Sequence, residues 1–199
     1  MNDPTTDELR ALIFKNRGAL LSLPAALLAL RGKPTAFSVA VGIPIAVAGE
    51  ILRCWAVGYS GVTTRGNRVE APSLTTAGPY AHVRNPLYVG NFVTAAGFAF
   101  AFTGRNCWSE RLVLIAGSLG IMAGVYATII PHEEQFLRKE FGAEFDRYCE
   151  AVPKLIPALE PIADPRGEWQ PGVIRDAESK TLGFFAGMLA LLALKALKR

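Results

Sequence analysis

Leu112–Pro131 runs for twenty residues without a charged side chain. A helix needs about 20 mostly apolar residues to cross the hydrocarbon of a bilayer. The run shows no polar face at helical spacing, as a helix on the surface of a soluble bundle would. Further uncharged blocks occupy Gly18–Leu30, Ala36–Gly49, Leu87–Gly104 and Leu182–Leu194. Only 19% of the 199 residues are charged, against about 25% in an ordinary soluble domain. The pattern predicts an all-α, polytopic integral membrane protein with about five membrane helices.

The Asn2-Asp3-Pro4-Thr5 start is polar and acidic, and Gly18–Leu30 has no small-residue cleavage site behind it. The first block is therefore expected to stay in the membrane rather than act as a cleaved signal. Cys54, Cys107 and Cys149 are widely spaced and odd in number, which excludes a disulfide framework and a cysteine metal cluster. If the blocks alternate across the bilayer, thirteen Lys and Arg fall on 1–17, 59–86 and 131–181, against seven on 31–35, 105–111 and 195–199. The charge rule then puts the larger segments inside, as in a bacterial inner membrane with the site facing the cytoplasm.

On that inner side lies the stretch GPYAHVRNPLYVG, residues 78–90. Pro86 suits the first turn of a helix and biases Asn85 away from helical geometry. The backbone at Arg84 and Asn85 is expected to be extended, with polar groups available to a ligand. Gly90 allows a close approach to that helix. Glu133 and Glu134 are expected at the end of the fourth helix, where a carboxylate needs a counter-charge. Glu50 and Arg53 stand i, i+3 on the second helix and read either as a buried ion pair or as a contact for an acceptor headgroup.

Several chemistries lack their usual residues. No glycine-rich phosphate loop follows a strand, so nucleotide and dinucleotide fingerprints are missing. His82 and His132 are fifty residues apart without a ligand at helical spacing, which argues against a metal site. No serine sits in a nucleophile elbow, and the basic residues are not interleaved with aromatics as in nucleic-acid binding.

What remains is a pair of linked motifs. The first is Thr76–Tyr80 followed by Arg84-Asn85-Pro86-Leu87-Tyr88-Val89-Gly90. The second is Glu133-Glu134 with Leu137, then Phe141-Gly142, Phe145, Tyr148, Val152-Pro153 and Ile156-Pro157. In order and spacing these resemble the isoprenylcysteine carboxyl methyltransferase family and its phospholipid N-methyltransferase relatives, over about residues 74–157.

The resemblance implies S-adenosyl-L-methionine as cofactor and a lipophilic acceptor that enters from the bilayer. It implies that Ser73, Leu74 and Thr75 line the cofactor with backbone groups beside Tyr80. Asn85, Pro86, Leu87 and Tyr88 would form its wall, and Glu133 would bind a polar end. Glu134 would support the cap, and Arg84 would tie the loop to the acidic pair or to the cofactor's carboxylate. His132, Glu50 and Glu134 are candidate bases for an acceptor that must lose a proton. Two positions depart from the family pattern. Asn85 replaces a histidine, and Ile129 stands where the eukaryotic prenylcysteine enzymes place an arginine for the substrate carboxylate. The acceptor stays open between an isoprenylcysteine-like carboxylate and a lipid hydroxyl or amine, with Glu50, Arg53 and Ile129 as candidate contacts.

The whole chain, 1–199, is expected to form one domain, with 158–181 a cytoplasmic linker and 182–197 a further helix. Gly183 and Gly187 on that helix offer a small-residue face for a homodimer. Two alternatives remain open: a sterol-reductase-type membrane reductase using NADPH, and a non-catalytic membrane scaffold.

Overall fold

The computed structural model describes residues 12–13, 16–61 and 73–197. Among these there is no strand. Six α-helices follow in order: α1 (Arg17–Arg31), α2 (Ala36–Ser60), α3 (Pro86–Phe102), α4 (Trp108–Phe141), α5 (Ala143–Ala151) and α6 (Pro171–Leu197), with a 3-10 turn at Gly78–Ala81. Several residues in the inside–outside charge comparison, namely Arg10, Lys15, Arg65, Arg68, Lys198 and Arg199, lie outside the described residues, as does the Asn2–Thr5 start.

The all-helical membrane reading holds, but the number of spans is smaller than expected. Among the described residues, three helices are long and apolar enough to cross a membrane: α2, α4 and α6. The apolar α3 has 17 residues, about 25 Å at 1.5 Å per residue, short of a hydrocarbon core of about 30 Å. At 15 residues, α1 is shorter still. Two boundaries also move. α4 does not stop at Glu133-Glu134 but continues through Pro131 to Phe141, because the residues beyond the proline are strong helix formers. α6 begins at Pro171 rather than at 182, so the irregular connection is 152–170. Pro171 tolerates the first helical turn, and the charged turns after it remain helical.

The ends of these helices have local causes. Thr35 and Ser38 exchange hydrogen bonds at the start of α2, Thr35 N donating to Ser38 Oγ at 2.9 Å and Ser38 N to Thr35 Oγ1 at 3.0 Å, a reciprocal cap. Gly142 closes α4 with φ of 52°, and its N–H donates to the Arg138 carbonyl at 3.0 Å.

The chain divides into two compact units. One comprises the residues up to Ala48, Phe92–Ile129 and those from Gly183 onward. Its core gathers Leu28, Phe98, Phe102, Leu114, Met188 and Leu192. Here α2 and α3 touch backbone to backbone: a Cβ on Gly97 would lie 2.3 Å from the Ala46 nitrogen, and one on Gly42 would lie 2.5 Å from the Gly97 carbonyl oxygen. Without a hydrophobic drive between helices in lipid, such small-residue contacts supply the packing. The other unit comprises Gly49–Asn91 and Ile130–Leu182. Its apolar centre is Phe145, Tyr148 and Val152, with Leu74, Leu137, Phe141 and Ile162 packed against it.

The close crossing makes a direct prediction. Gly97→Ala should destabilise the protein by about 1–3 kcal/mol, because the new methyl meets backbone that cannot swing aside. Gly117 has nothing within 4 Å of an added Cβ, so Gly117→Ala should be neutral. Unfolding titrations in mixed micelles would show the difference. Equal stability of the two variants would mean that α2 and α3 are not in backbone contact.

Candidate functional site

Glu133 and Glu134 sit inside α4, not at its end, so no helix C-terminus opposes them. Consecutive helical residues point about 100° apart, and the two carboxylates accordingly meet different partners. Glu134 is buried and Glu133 half-buried. Both lie just beyond the uncharged run that ends at Pro131.

Glu134 collects donors from two other stretches of chain. Arg84 Nε donates to its Oε1 at 3.1 Å and Asn85 Nδ2 to the same oxygen at 3.4 Å. The Lys154 ammonium lies 3.0 Å from Oε2. Arg84 Nη1 also donates to the carbonyls of Cys149, at 2.9 Å, in the last turn of α5 and of Val152, which caps that helix, where a cation is favoured. The Arg84 N–H donates to the Pro153 carbonyl at 2.9 Å, and Asn85 Nδ2 reaches the Lys154 carbonyl at 3.1 Å. The expectation that the polar groups of Arg84 and Asn85 wait for a ligand is therefore corrected: protein acceptors engage them. The tie from Arg84 runs to Glu134. By position, Asn85 is the residue before α3, and its carbonyl accepts from Tyr88 N at 3.1 Å and Val89 N at 3.2 Å.

Glu133 faces α3, where the Tyr88 hydroxyl donates to its Oε2 at 2.7 Å. Pro86 is buried and Leu87 half-buried beside this contact in sequence. One turn beyond Tyr88 on α3 is Asn91, which accepts from Arg53 Nη1. Arg53 Nη2 donates to Glu178 Oε2 at 2.7 Å, and its Nε lies 3.4 Å from Glu50 Oε2. The i, i+3 pair thus joins a buried cluster with Asn91 and Glu178. Gly90 makes room for it: a Cβ there would lie 2.6 Å from Arg53 Cγ and 2.8 Å from the Gly49 carbonyl oxygen.

The remaining sequence-predicted residues are dispersed around this frame. Ser73 is exposed. The side chain of Leu74 packs in the Phe145–Tyr148–Val152 cluster, and the Thr75 hydroxyl donates to the Tyr59 carbonyl at 3.5 Å. Burial chiefly, with a smaller push from the Glu133 charge, raises the Tyr80 phenol to about 12, although a hydrogen bond with Ser60 pulls the other way. Tyr148, also raised by burial, donates to the Tyr80 carbonyl at 2.8 Å. His132 is exposed on α4, and Ile129 is fully buried one turn before Glu133. Among the described residues no three His, Cys, Asp or Glu side chains gather as a metal ion would require.

Sequence reasoning missed Lys154 and Glu178. Lys154 follows Pro153 in an irregular stretch, where no periodicity tells which way a side chain turns. Glu178 lay in what read as a linker; its one signal was a buried Arg53 in need of more than a single carboxylate.

Comparison with known proteins bears on this arrangement. Residues 37–144 match the phospholipid methyltransferase family. The chain belongs to that family. The match takes in Glu50, Arg53, the head of α3 and both carboxylates of α4, and it ends before Lys154 and Glu178. Among curated relatives, the nickel-cobalt-cadmium resistance protein NccN of Alcaligenes xylosoxydans xylosoxydans is 33% identical over 90 residues, covering 45% of this chain and 38% of that protein. A probable protein-S-isoprenylcysteine O-methyltransferase of Oryza sativa subsp. indica is 30% identical over 124 residues, covering 60% and 61%. The cobalt-zinc-cadmium resistance protein CzcN of Cupriavidus metallidurans is 30% identical over 119 residues, covering 60% and 47%. The chain therefore spans between 38% and 61% of the length of these relatives. No solved structure matches it. The resemblance read from the two linked motifs is borne out by the family match.

The buried cluster predicts a strong dependence on Glu178. Glu178→Ala leaves Arg53 with Glu50 and Asn91 but strips Nη2 of its buried acceptor, and should cost about 1–3 kcal/mol of stability. Glu178→Gln keeps an acceptor and should lose less. Thermal unfolding of the purified variants checks the order, which would be reversed or absent if the contact were incidental.

Proposed function

We propose that this chain is an S-adenosylmethionine-dependent methyltransferase acting on a lipophilic acceptor that reaches it from the bilayer. The observation that carries the reading is the Glu133 carboxylate, half-buried just past the uncharged run of α4 and hydrogen-bonded by Tyr88, in a chain of the phospholipid methyltransferase family. The acceptor oxygens of Glu133 suit the polar groups of the cofactor. A carboxylate offers only acceptors, which suits hydroxyl groups and an ammonium. Glu134 meets Arg84 and Lys154, while Glu133 meets the Tyr88 hydroxyl, so the two carboxylates take different parts in this reading.

In this reading Glu133 holds a polar end of the cofactor, with Asn85, Pro86, Leu87 and Tyr88 as its wall and Ser73–Thr75 and Tyr80 beside it. The bound cofactor supplies an electrophilic methyl group. The chain's part is to hold donor and acceptor in line, worth up to about 7–11 kcal/mol of the barrier, and to keep water away. Arg84 and Glu134 act as positioning residues, since they fix the head of α3 without facing a ligand themselves. Tyr80 keeps its proton at neutral pH and is no base. An acceptor hydroxyl or amine needs one, and exposed His132 beside Glu133 is the candidate. A carboxylate acceptor needs none.

The name of the rice relative supports a prenylcysteine-like carboxylate as acceptor. Ile129 favours an acceptor without one, because no cation stands one turn before Glu133. The Gly183–Gly187 face of α6, with nothing within 4 Å of an added Cβ at either glycine, is available for pairing two copies.

Calorimetry in detergent tests the cofactor site. Glu133→Gln should weaken binding of S-adenosylhomocysteine by roughly tenfold or more, the scale of a hydrogen bond to a charged group, while the thermal midpoint stays near that of the parent. Unchanged affinity would remove Glu133 from the site, and no binding by the parent protein would overturn the reading. Incubating lipid extracts with methyl-labelled donor would then identify the acceptor class.

A further inference from the structure

The most exposed large apolar side chains near the candidate site are Ile156 and Leu159, 81% and 98% exposed, on the connection between α5 and α6. Leu155 beside them is exposed as well, and Trp169 is exposed two residues before α6 begins. Connections in contact with water are ordinarily polar, so clustered apolar exposure of this kind marks a contact surface.

Hydrogen bonds fix the level of this segment. Arg84 N donates to the Pro153 carbonyl and Ala158 N to the His82 carbonyl, both at 2.9 Å. Asn85 Nδ2 donates to the Lys154 carbonyl at 3.1 Å. Residues 153–158 are thus held against 82–85, directly before Pro86 starts the apolar α3. Arg84 and Asn85 also bond Glu134, three residues past the uncharged run of α4. The segment therefore lies beside the head of the apolar α3 and the point where α4 leaves its uncharged run. Charge does not explain its exposure: residues 150–170 hold two Lys or Arg against four Asp or Glu, which gives an anionic lipid surface nothing to attract.

We propose that Ile156 and Leu159 insert into the acyl boundary of the bilayer that the helices cross, so that segment 153–159 anchors the site at the interface. The insertion is apolar, not electrostatic. Exposed Trp169, close to the start of the α6 span, is a residue type enriched at the same boundary. The backbone of this segment also supplies the carbonyls that hold Arg84 and Asn85, so contact with the bilayer bears on the frame around Glu134. The inference does not depend on the proposed methyl transfer.

Spin labels test the insertion in lipid nanodiscs. They are placed at Ile156→Cys, Leu159→Cys and, as the exposed control on α5, Glu150→Cys, with Cys54, Cys107 and Cys149 replaced by serine. Collisions with oxygen should exceed those with a charged nickel chelate at 156 and 159, with the reverse at 150, in neutral and anionic lipid alike. Chelate access at 156 and 159 equal to that at 150 would overturn the proposal. Labels that reach the apolar layer only in anionic lipid would overturn it in favour of a charge-driven contact. The unaltered chain gives a second measurement if the cysteine-free background fails to fold. A lipid with a photoreactive group in its acyl chain should form adducts on the tryptic peptide Leu155–Arg166, and adducts confined to the long helices would equally overturn the proposal.

Discussion

The buried carboxylate of Glu134 organises the region around the candidate site, because distant stretches of chain meet on its two oxygens. Arg84 and Asn85 arrive from the head of α3, and Lys154 arrives from beyond α5. Arg84 extends the network to the carbonyls of Cys149 and Val152 at the end of α5. Taking a carboxylate out of water costs several kcal/mol unless charge and hydrogen bonds replace the lost hydration. Two cations and an amide do so here. The next residue, Glu133, is turned about 100° away by the helix and meets the Tyr88 hydroxyl on α3 instead.

The position of α3 follows from missing side chains as much as from bonds. At Gly90 the absent Cβ admits Arg53, which links Glu50, Asn91 and Glu178 in a buried cluster. At Gly97 the absent Cβ admits the backbone of α2 near Ala46. Water does not compete for hydrogen bonds in such surroundings, so charge pairs and hydrogen bonds in a buried polar cluster are stronger than they would be in water. Asn91 stands one helical turn from Tyr88, and the cluster therefore also bears on where the Tyr88 hydroxyl meets Glu133.

The irregular stretch after α5 serves two masters through its two kinds of atoms. Its carbonyls hold Arg84 and Asn85, while its side chains at Ile156 and Leu159 point outward. Prolines at 153 and 157 keep the stretch from forming a helix, which would have tied up those same carbonyls internally.

Composition and local pattern were enough to establish the all-helical membrane class, the helix start at Pro86, the pairing of Glu50 with Arg53 and the family. Each rests on neighbours in sequence: runs without charge, a proline's fixed geometry, an i, i+3 spacing, motifs at set intervals. The sequence misjudged the end of α4 and the start of α6, because strong helix formers carry α4 on past Pro131 and the charged turns after Pro171 stay helical. It also left open which donors Glu134 would take and whether Arg53 had a second carboxylate. Lys154 is twenty residues from Glu134, and Glu178 is 125 residues from Arg53. No local periodicity encodes such pairings; they exist only once the packed helices bring the charges within hydrogen-bonding distance and remove the water between them.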